Sequence, residues 1–175
     1  MTLDAHTAAS FCVATVCLIA CAYDVRFRRI PNALTLGAAA GGLAFNVFLA
    51  GLHGAGASLA GLLVGTALFF PFFALGGLGA GDIKLMGAIG AWLGPTAALW
   101  ASLFAAMAGG VFALLLALYH GYARKMLGNL WLLLGHWRMF GIKPMPDLTL
   151  AASRGPRLAY ALPITVGTLV ELWLR

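Results

Sequence analysis

The chain has 175 residues, room for one ordinary domain, of which 62% are hydrophobic and 9% charged, against about 25% charged in soluble proteins. That excludes a water-soluble globule, and the formal charge of +6 sits between apolar runs rather than on a soluble basic face, which argues against a nucleic-acid partner. Residues 5–23, 30–81 and 85–123 contain no Lys, Arg, Asp or Glu. A bilayer core of ~30 Å takes about 20 apolar residues in a helix, so the expected fold is an all-α membrane protein: a single integral-membrane domain, 1–175, with about six transmembrane helices.

Hydropathy and its breaks predict spans near 7–23, 33–52, 56–76, 82–93, 96–119 and 158–174. The first resembles a secretory signal, but its head carries no Lys or Arg and Asp24 with a basic cluster follows it, so a permanent helix is expected. Cys12, Cys17 and Cys21 all lie in this span, at spacings that suit neither metal ligation nor a disulfide framework, and read as small packing residues.

The first connection holds Arg26, Arg28 and Arg29. The fifth, 120–157, holds Arg124, Lys125, Arg138, Lys143, Arg154 and Arg157, whereas the turns at 53–55 and 94–95 hold no Lys or Arg. The positive-inside rule then puts the first, third and fifth connections in the cytoplasm and both termini outside. Leu127 to Phe140, with Trp131, Trp137 and flanking basic residues, would span only about 21 Å as a helix. It is expected to lie along the interface, a seventh span being the alternative. Pro144, Pro146, Ser153 and Pro156 mark an irregular linker into the last helix. Most of the 23 glycines fall inside spans, including Gly61-x-x-x-Gly65 and Gly37, Gly41 and Gly42, where small residues let helices pack closely.

Two of the five acidic residues stand out. Asp24 ends the first span and Asp82 opens the fourth, and the charge bias alone brings both to the cytoplasmic face. The fourth helix is only about 18 Å long, so a glycine-rich segment from Gly76 to Gly81 is expected to dip into the membrane and leave Asp82 in a water-accessible recess. An ionisable group there points to function. Gly79 and Gly81 remove two β-carbons beside it, allowing unusual backbone angles and close approach of a second chain. Two carboxylates sharing a site hold one proton between them. The carboxylate takes a proton from water, the acid polarises a scissile carbonyl, and peptide hydrolysis needs no cofactor or metal. Helix polarity suggests Asp82, at a helix N-terminus, as initial base and Asp24, at a helix C-terminus, as initial acid. Read structurally instead, Asp82 is a helix cap and Asp24 a counter-ion to the arginines.

Asp24-Val25-Arg26-Phe27-Arg28-Arg29-Ile30-Pro31-Asn32-Ala33-Leu34-Thr35 resembles the first active-site segment of type IV prepilin peptidases. Gly79-Ala80-Gly81-Asp82-Ile83-Lys84-Leu85-Met86, continuing to Gly94-Pro95, is similar to their second. The resemblance implies a membrane aspartic peptidase of the Gly-x-Gly-Asp class that cleaves the basic leader from pilin or pseudopilin precursors at the cytoplasmic membrane face, with Asp24 and Asp82 as catalytic pair. Gly79, Gly81, Lys84, Pro31 and Asn32 lie in the matching segments as supporting residues. Pro31 sets the entry into the second helix, and Lys84 meets either a substrate carboxylate or lipid headgroups. The chain departs from larger family members in lacking their cytoplasmic insertion with paired Cys-x-x-Cys motifs. No zinc site or methyltransferase activity is therefore expected, and the short form looks like the peptidases of Flp-type, tight-adherence pili. A prepilin resembles a basic leader on an apolar helix, which could lie among the glycine-rich helices while an acidic residue near its mature start pairs with Lys84 or an arginine.

Two alternatives stay open. Tyr23-Asp24 and the Gly-x-Gly-Asp segment also echo presenilin-like and signal-peptide-peptidase-like proteases. Those carry a Pro-Ala-Leu element in a later helix, whereas this chain has Ala161-Leu162-Pro163, read as a kink. A small ion or metal transporter with the aspartates as ligands is the other, against which stand the lack of an inverted repeat and of a His or Glu to complete a shell. Asp147 and Glu171 receive no role.

Overall fold

The computed structural model describes residues 2–121, 123–141 and 159–175. Among them are six helices and no strand: α1 (Thr2–Phe27), α2 (Asn32–Ala74), α3 (Ala80–Leu93), α4 (Pro95–Tyr119), α5 (Ala123–Phe140) and α6 (Ala161–Leu174). Ala5–Phe27, Asn32–Ala74 and Pro95–Tyr119 are long and apolar enough to cross a membrane, and α6 is a shorter apolar helix. The linker residues Pro144, Pro146, Asp147, Ser153 and Pro156 lie outside the described residues.

α2 is one element in name and two arms in fact. Ala50 (φ −136°) and Gly51 (φ 56°) leave helical geometry. Asn46 Nδ2 donates to the Ala91 carbonyl at 3.0 Å and Ser58 Oγ donates to the same oxygen at 2.8 Å. Twelve residues of straight helix would separate those donors by about 18 Å. The chain must therefore double back at Gly51, where glycine reaches a left-handed φ without a β-carbon penalty. The turn expected at 53–55 falls three residues earlier, and the two arms correspond to the second and third of the expected spans.

α3 is the hub. Leu85, Met86, Ala88, Ile89 and Ala91 are each at most 1% exposed, so neighbours surround this helix on every side. Glycines make that possible: a Cβ at Gly61 would overlap the Gly90 carbonyl, one at Gly65 the Met86 carbonyl, and one at Gly42 would press on Trp92 and Ala91. Gly37 faces open space and has no packing role of this kind. At 14 residues, or about 21 Å, α3 is shorter than a ~30 Å hydrocarbon core. Its final carbonyls would be costly to leave bare there. Asn46 Nδ2 reaches both Ala91 and Trp92, Ser58 reaches Ala91, and Trp92 Nε1 in turn donates to Ala38 at 2.7 Å.

α4 shows the polarity of a lipid-facing element. Its inward positions are small, Ala97, Ala98, Ala101, Ser102, Ala105 and Gly109, while Trp100, Leu103, Met107, Val111 and Leu115 face outward. In water the large residues would turn inward. In lipid, association comes from close packing, so small residues face the partner. α6 packs against both α1 and α4, and a Cβ at Gly167 would enter the Ala105 backbone. α5 is an amphipathic helix whose exposed stripe carries Arg124, Leu127, Trp131 and Arg138, the composition that favours a membrane interface. The protein is an all-α membrane protein.

Candidate active site

Asp24 lies one turn inside the end of α1, rather than at its terminus. The helix continues to Phe27 and closes when the Arg28 N–H donates to the Asp24 carbonyl at 2.9 Å. Arg28 stands at the left-handed position of this closure, φ 54°, a place usually held by glycine and costing other residues about 1–2 kcal/mol. The turn delivers Arg29 and Ile30 to Pro31, whose fixed φ of −61° makes it the N-cap of α2. Its carbonyl accepts the Leu34 N–H at 3.1 Å, so Pro31 does set the entry into that helix.

On the opposite wall, α2 ends in a Schellman closure: Gly76, φ 75°, donates to Phe73 and Gly77 donates to Phe72, both at 2.8 Å. The irregular backbone expected from Gly76 to Gly81 thus stops at Gly79, because Ala80 and Gly81 already belong to α3. Nor do Gly79 and Gly81 need unusual backbone angles; Gly79 has φ −83°. Their reason is space. A Cβ at Gly81 would stand 3.1 Å from Ile30 Cβ, and one at Gly79 would stand 3.1 Å from the Asp82 carboxylate. Asp82 is the third residue of α3, and its Oδ2 accepts the Gly79 N–H at 3.0 Å. It therefore plays the N3 part of a capping box rather than the N-cap.

Asp24 and Asp82 are 9% and 8% exposed and line one cavity of about 750 Å³. Gly79, Gly81, Lys84, Pro31 and Asn32 line it as well. Lys84 Nζ donates to Asn32 Oδ1 at 2.9 Å, which ties the start of α3 to the start of α2 across the cavity mouth. Tyr23, Phe27, Ile30 and Tyr160 supply apolar wall, and Arg28 and Arg29 supply positive charge. Two carboxyls thus share one cavity with three cationic side chains. Among the described residues, no three His, Cys, Asp or Glu side chains gather as metal ligands.

One wall of the site, the start of α6, was not expected from the sequence. The Ala161 N–H, first in that helix, donates to Asp24 Oδ2 at 3.2 Å. Asp24 accordingly faces a helix N-terminus of its own, and helix polarity no longer separates Asp24 as acid from Asp82 as base: each carboxyl accepts a backbone N–H at a helix start, Ala161 of α6 and the N-cap Gly79 of α3. The signal lay in Pro163. Read as a kink, it is the third residue of α6, where a missing N–H costs no helical bond. Tyr160 is the N-cap.

A model of the type IV leader peptidase family matches residues 11–114, a stretch that takes in both aspartates and every wall of the cavity except α6. The chain belongs to this family. No curated protein and no solved structure matches it. The type IV leader peptidase family is membrane-bound, in keeping with the helices described above, and membership makes the protein a peptidase. The matched stretch ends inside α4, so the meeting of α6 with Asp24 is a feature of the tertiary structure and owes nothing to the match.

Proposed function

We propose that this leader peptidase is an aspartic endopeptidase, a single domain spanning 1–175, that removes the leader from type IV prepilins or pseudopilins of the Flp type. The site would open to the cytoplasmic face of a bacterial inner membrane. What supports the reading is one observation: Asp24 and Asp82, 58 positions apart in the sequence, share a single cavity. The reaction needs one of the two carboxyls charged and the other neutral. The charged member takes a proton from a water lying between the pair while the neutral member donates to the scissile carbonyl. The tetrahedral gem-diol then collapses as the leaving nitrogen is protonated, and the pair recovers its single proton.

The cavity wall also suits the substrate. Tyr23, Phe27 and Ile30 offer apolar surface to the start of a pilin helix, and Arg28, Arg29 and Lys84 favour a segment carrying a carboxylate over a purely basic one. The basic leader would then extend away from these cations toward the cytoplasm. The first connection of this chain is short and carries no cysteine, which supports peptidase activity without methyl transfer.

The test is cleavage of candidate prepilins in membranes by wild type, Asp24→Ala and Asp82→Ala, beside an ion-flux assay on the same vesicles. Processing by wild type and its loss in both variants is the expected result. Metal-dependent flux with processing intact in the variants would replace the peptidase by a transporter.

A further inference from the structure

The start of α6, which lies beyond the matched stretch, holds Asp24 from outside it. Ala161 is fully buried, and its N–H is one of the donors that a helix start leaves without an internal partner. A buried N–H needs an acceptor, and Asp24 Oδ2 at 3.2 Å is that acceptor. One turn deeper, Thr165 Oγ1 donates to the Cys17 carbonyl at 3.1 Å, so the α1–α6 seam is registered at two successive levels.

The N-cap of α6 also meets α4 and α2. The Tyr160 ring meets the Phe69 ring edge-on, with centroids 6.1 Å apart. Its hydroxyl end lies against Gly109: a Cβ there would stand 2.5 Å from Oη and 2.9 Å from Cζ. An alanine methyl there requires the Tyr160 ring to shift. Gly109 is therefore a socket for the Tyr160 ring. A methyl placed on the neighbouring Gly110 would meet nothing within 4 Å, so the requirement belongs to one position and not to glycine in general.

We propose that Tyr160, seated on Gly109 and Phe69, is a positioning residue for the peptidase reaction: it holds the Ala161 N–H on Asp24 and so fixes the orientation of that carboxyl toward Asp82. This rests on the aspartic reading above. Tyr160 itself touches no reacting atom in the scheme. Its effect passes through the backbone of Ala161, which makes it sensitive to the bulk of the ring and to the socket, and tolerant of loss of the hydroxyl.

The experiment compares Gly109→Ala, Gly110→Ala, Tyr160→Ala and Tyr160→Phe in the full chain, reconstituted in lipid with a prepilin that wild type cleaves. Misplacing a catalytic group by about 1 Å costs on the order of 10²-fold in rate. Gly109→Ala and Tyr160→Ala are expected to lose kcat on that scale with KM little changed, Gly110→Ala to match wild type, and Tyr160→Phe to recover most of what Tyr160→Ala loses. If Gly109→Ala does not accumulate, the two tyrosine variants carry the comparison. Equal kcat in wild type and Tyr160→Ala overturns the proposal. So does a loss confined to KM, which would make Tyr160 a substrate contact. Cleavage retained by Asp24→Ala and Asp82→Ala on the same substrate overturns the aspartic reading instead, so the two failures are distinct.

Discussion

Asn and Ala at the two aspartates should separate chemistry from architecture. Each carboxyl accepts one backbone N–H, Ala161 for Asp24 at 3.2 Å and Gly79 for Asp82 at 3.0 Å, and an Asn side-chain oxygen can accept the same bond without the charge. Both Asn variants should therefore fold at least as well as wild type, because they also remove the repulsion between two carboxyls in one cavity. Asp24→Ala strands a fully buried N–H, at a cost of about 1–3 kcal/mol. For a chain of this size that lowers Tm by roughly 2–12 °C. Gly79 is only half-buried, so water can replace the lost acceptor in Asp82→Ala, and a cost nearer ~0.5–1 kcal/mol follows. Cleavage should fall in all four, by on the order of 10²–10⁴-fold or more, the contribution of a positioned acid or base. The assays are thermal unfolding in detergent and turnover of a prepilin in reconstituted vesicles. Near-wild-type cleavage by either Asn variant would refute the paired-carboxyl chemistry. An Asp24→Ala protein as stable as Asp24→Asn would refute the structural weight given to the α6 contact.

Two further outcomes follow from packing and from the cavity mouth. Gly61→Ala drives a methyl into the Gly90 carbonyl, so it should cost about 1–3 kcal/mol or more, whereas Gly56→Ala, with open space around it, should be neutral in the same unfolding assay; equal stability of the two would refute the close α2–α3 seam. Lys84→Met and Asn32→Leu each break the 2.9 Å bond between α3 and α2, and if that clasp is what the two side chains contribute, the double variant should lose no more cleavage than either single one; additive losses would show that they act separately.

The resemblance to prepilin peptidases rests on two segments, and the geometry explains why those segments carry so much. Pro31 is needed where α2 begins, Gly81 where Ile30 crosses α3, and Gly79 where a carboxylate takes a backbone N–H. Each requirement is local, set within a few residues of the motif or by one crossing chain, so it leaves a mark in the letters. The supposed freedom of backbone angle at Gly79 did not survive, because steric access and left-handed φ both favour glycine and composition does not distinguish them. Helix polarity fails to assign the acid and the base for a related reason: the letters show the helix on which Asp24 sits and not the one that ends against it.

Length, the long uncharged intervals and the placement of arginines determined by themselves that this is an all-α membrane protein with six apolar helical segments and an amphipathic helix before the last. Lipid favours that outcome, since backbone polar groups in the hydrocarbon must be paired and uncharged runs of this length pair them within helices. Tertiary structure alone decided that α2 doubles back at Gly51, that Asn46 and Ser58 close the short α3 from its far end, and that α6 meets Asp24. Those contacts join positions 33 to 137 residues apart. No hydropathic period spans such a distance, and small inward-facing residues fit many neighbours equally well. Only the assembled bundle selects which carbonyl, and which carboxyl, each donor reaches.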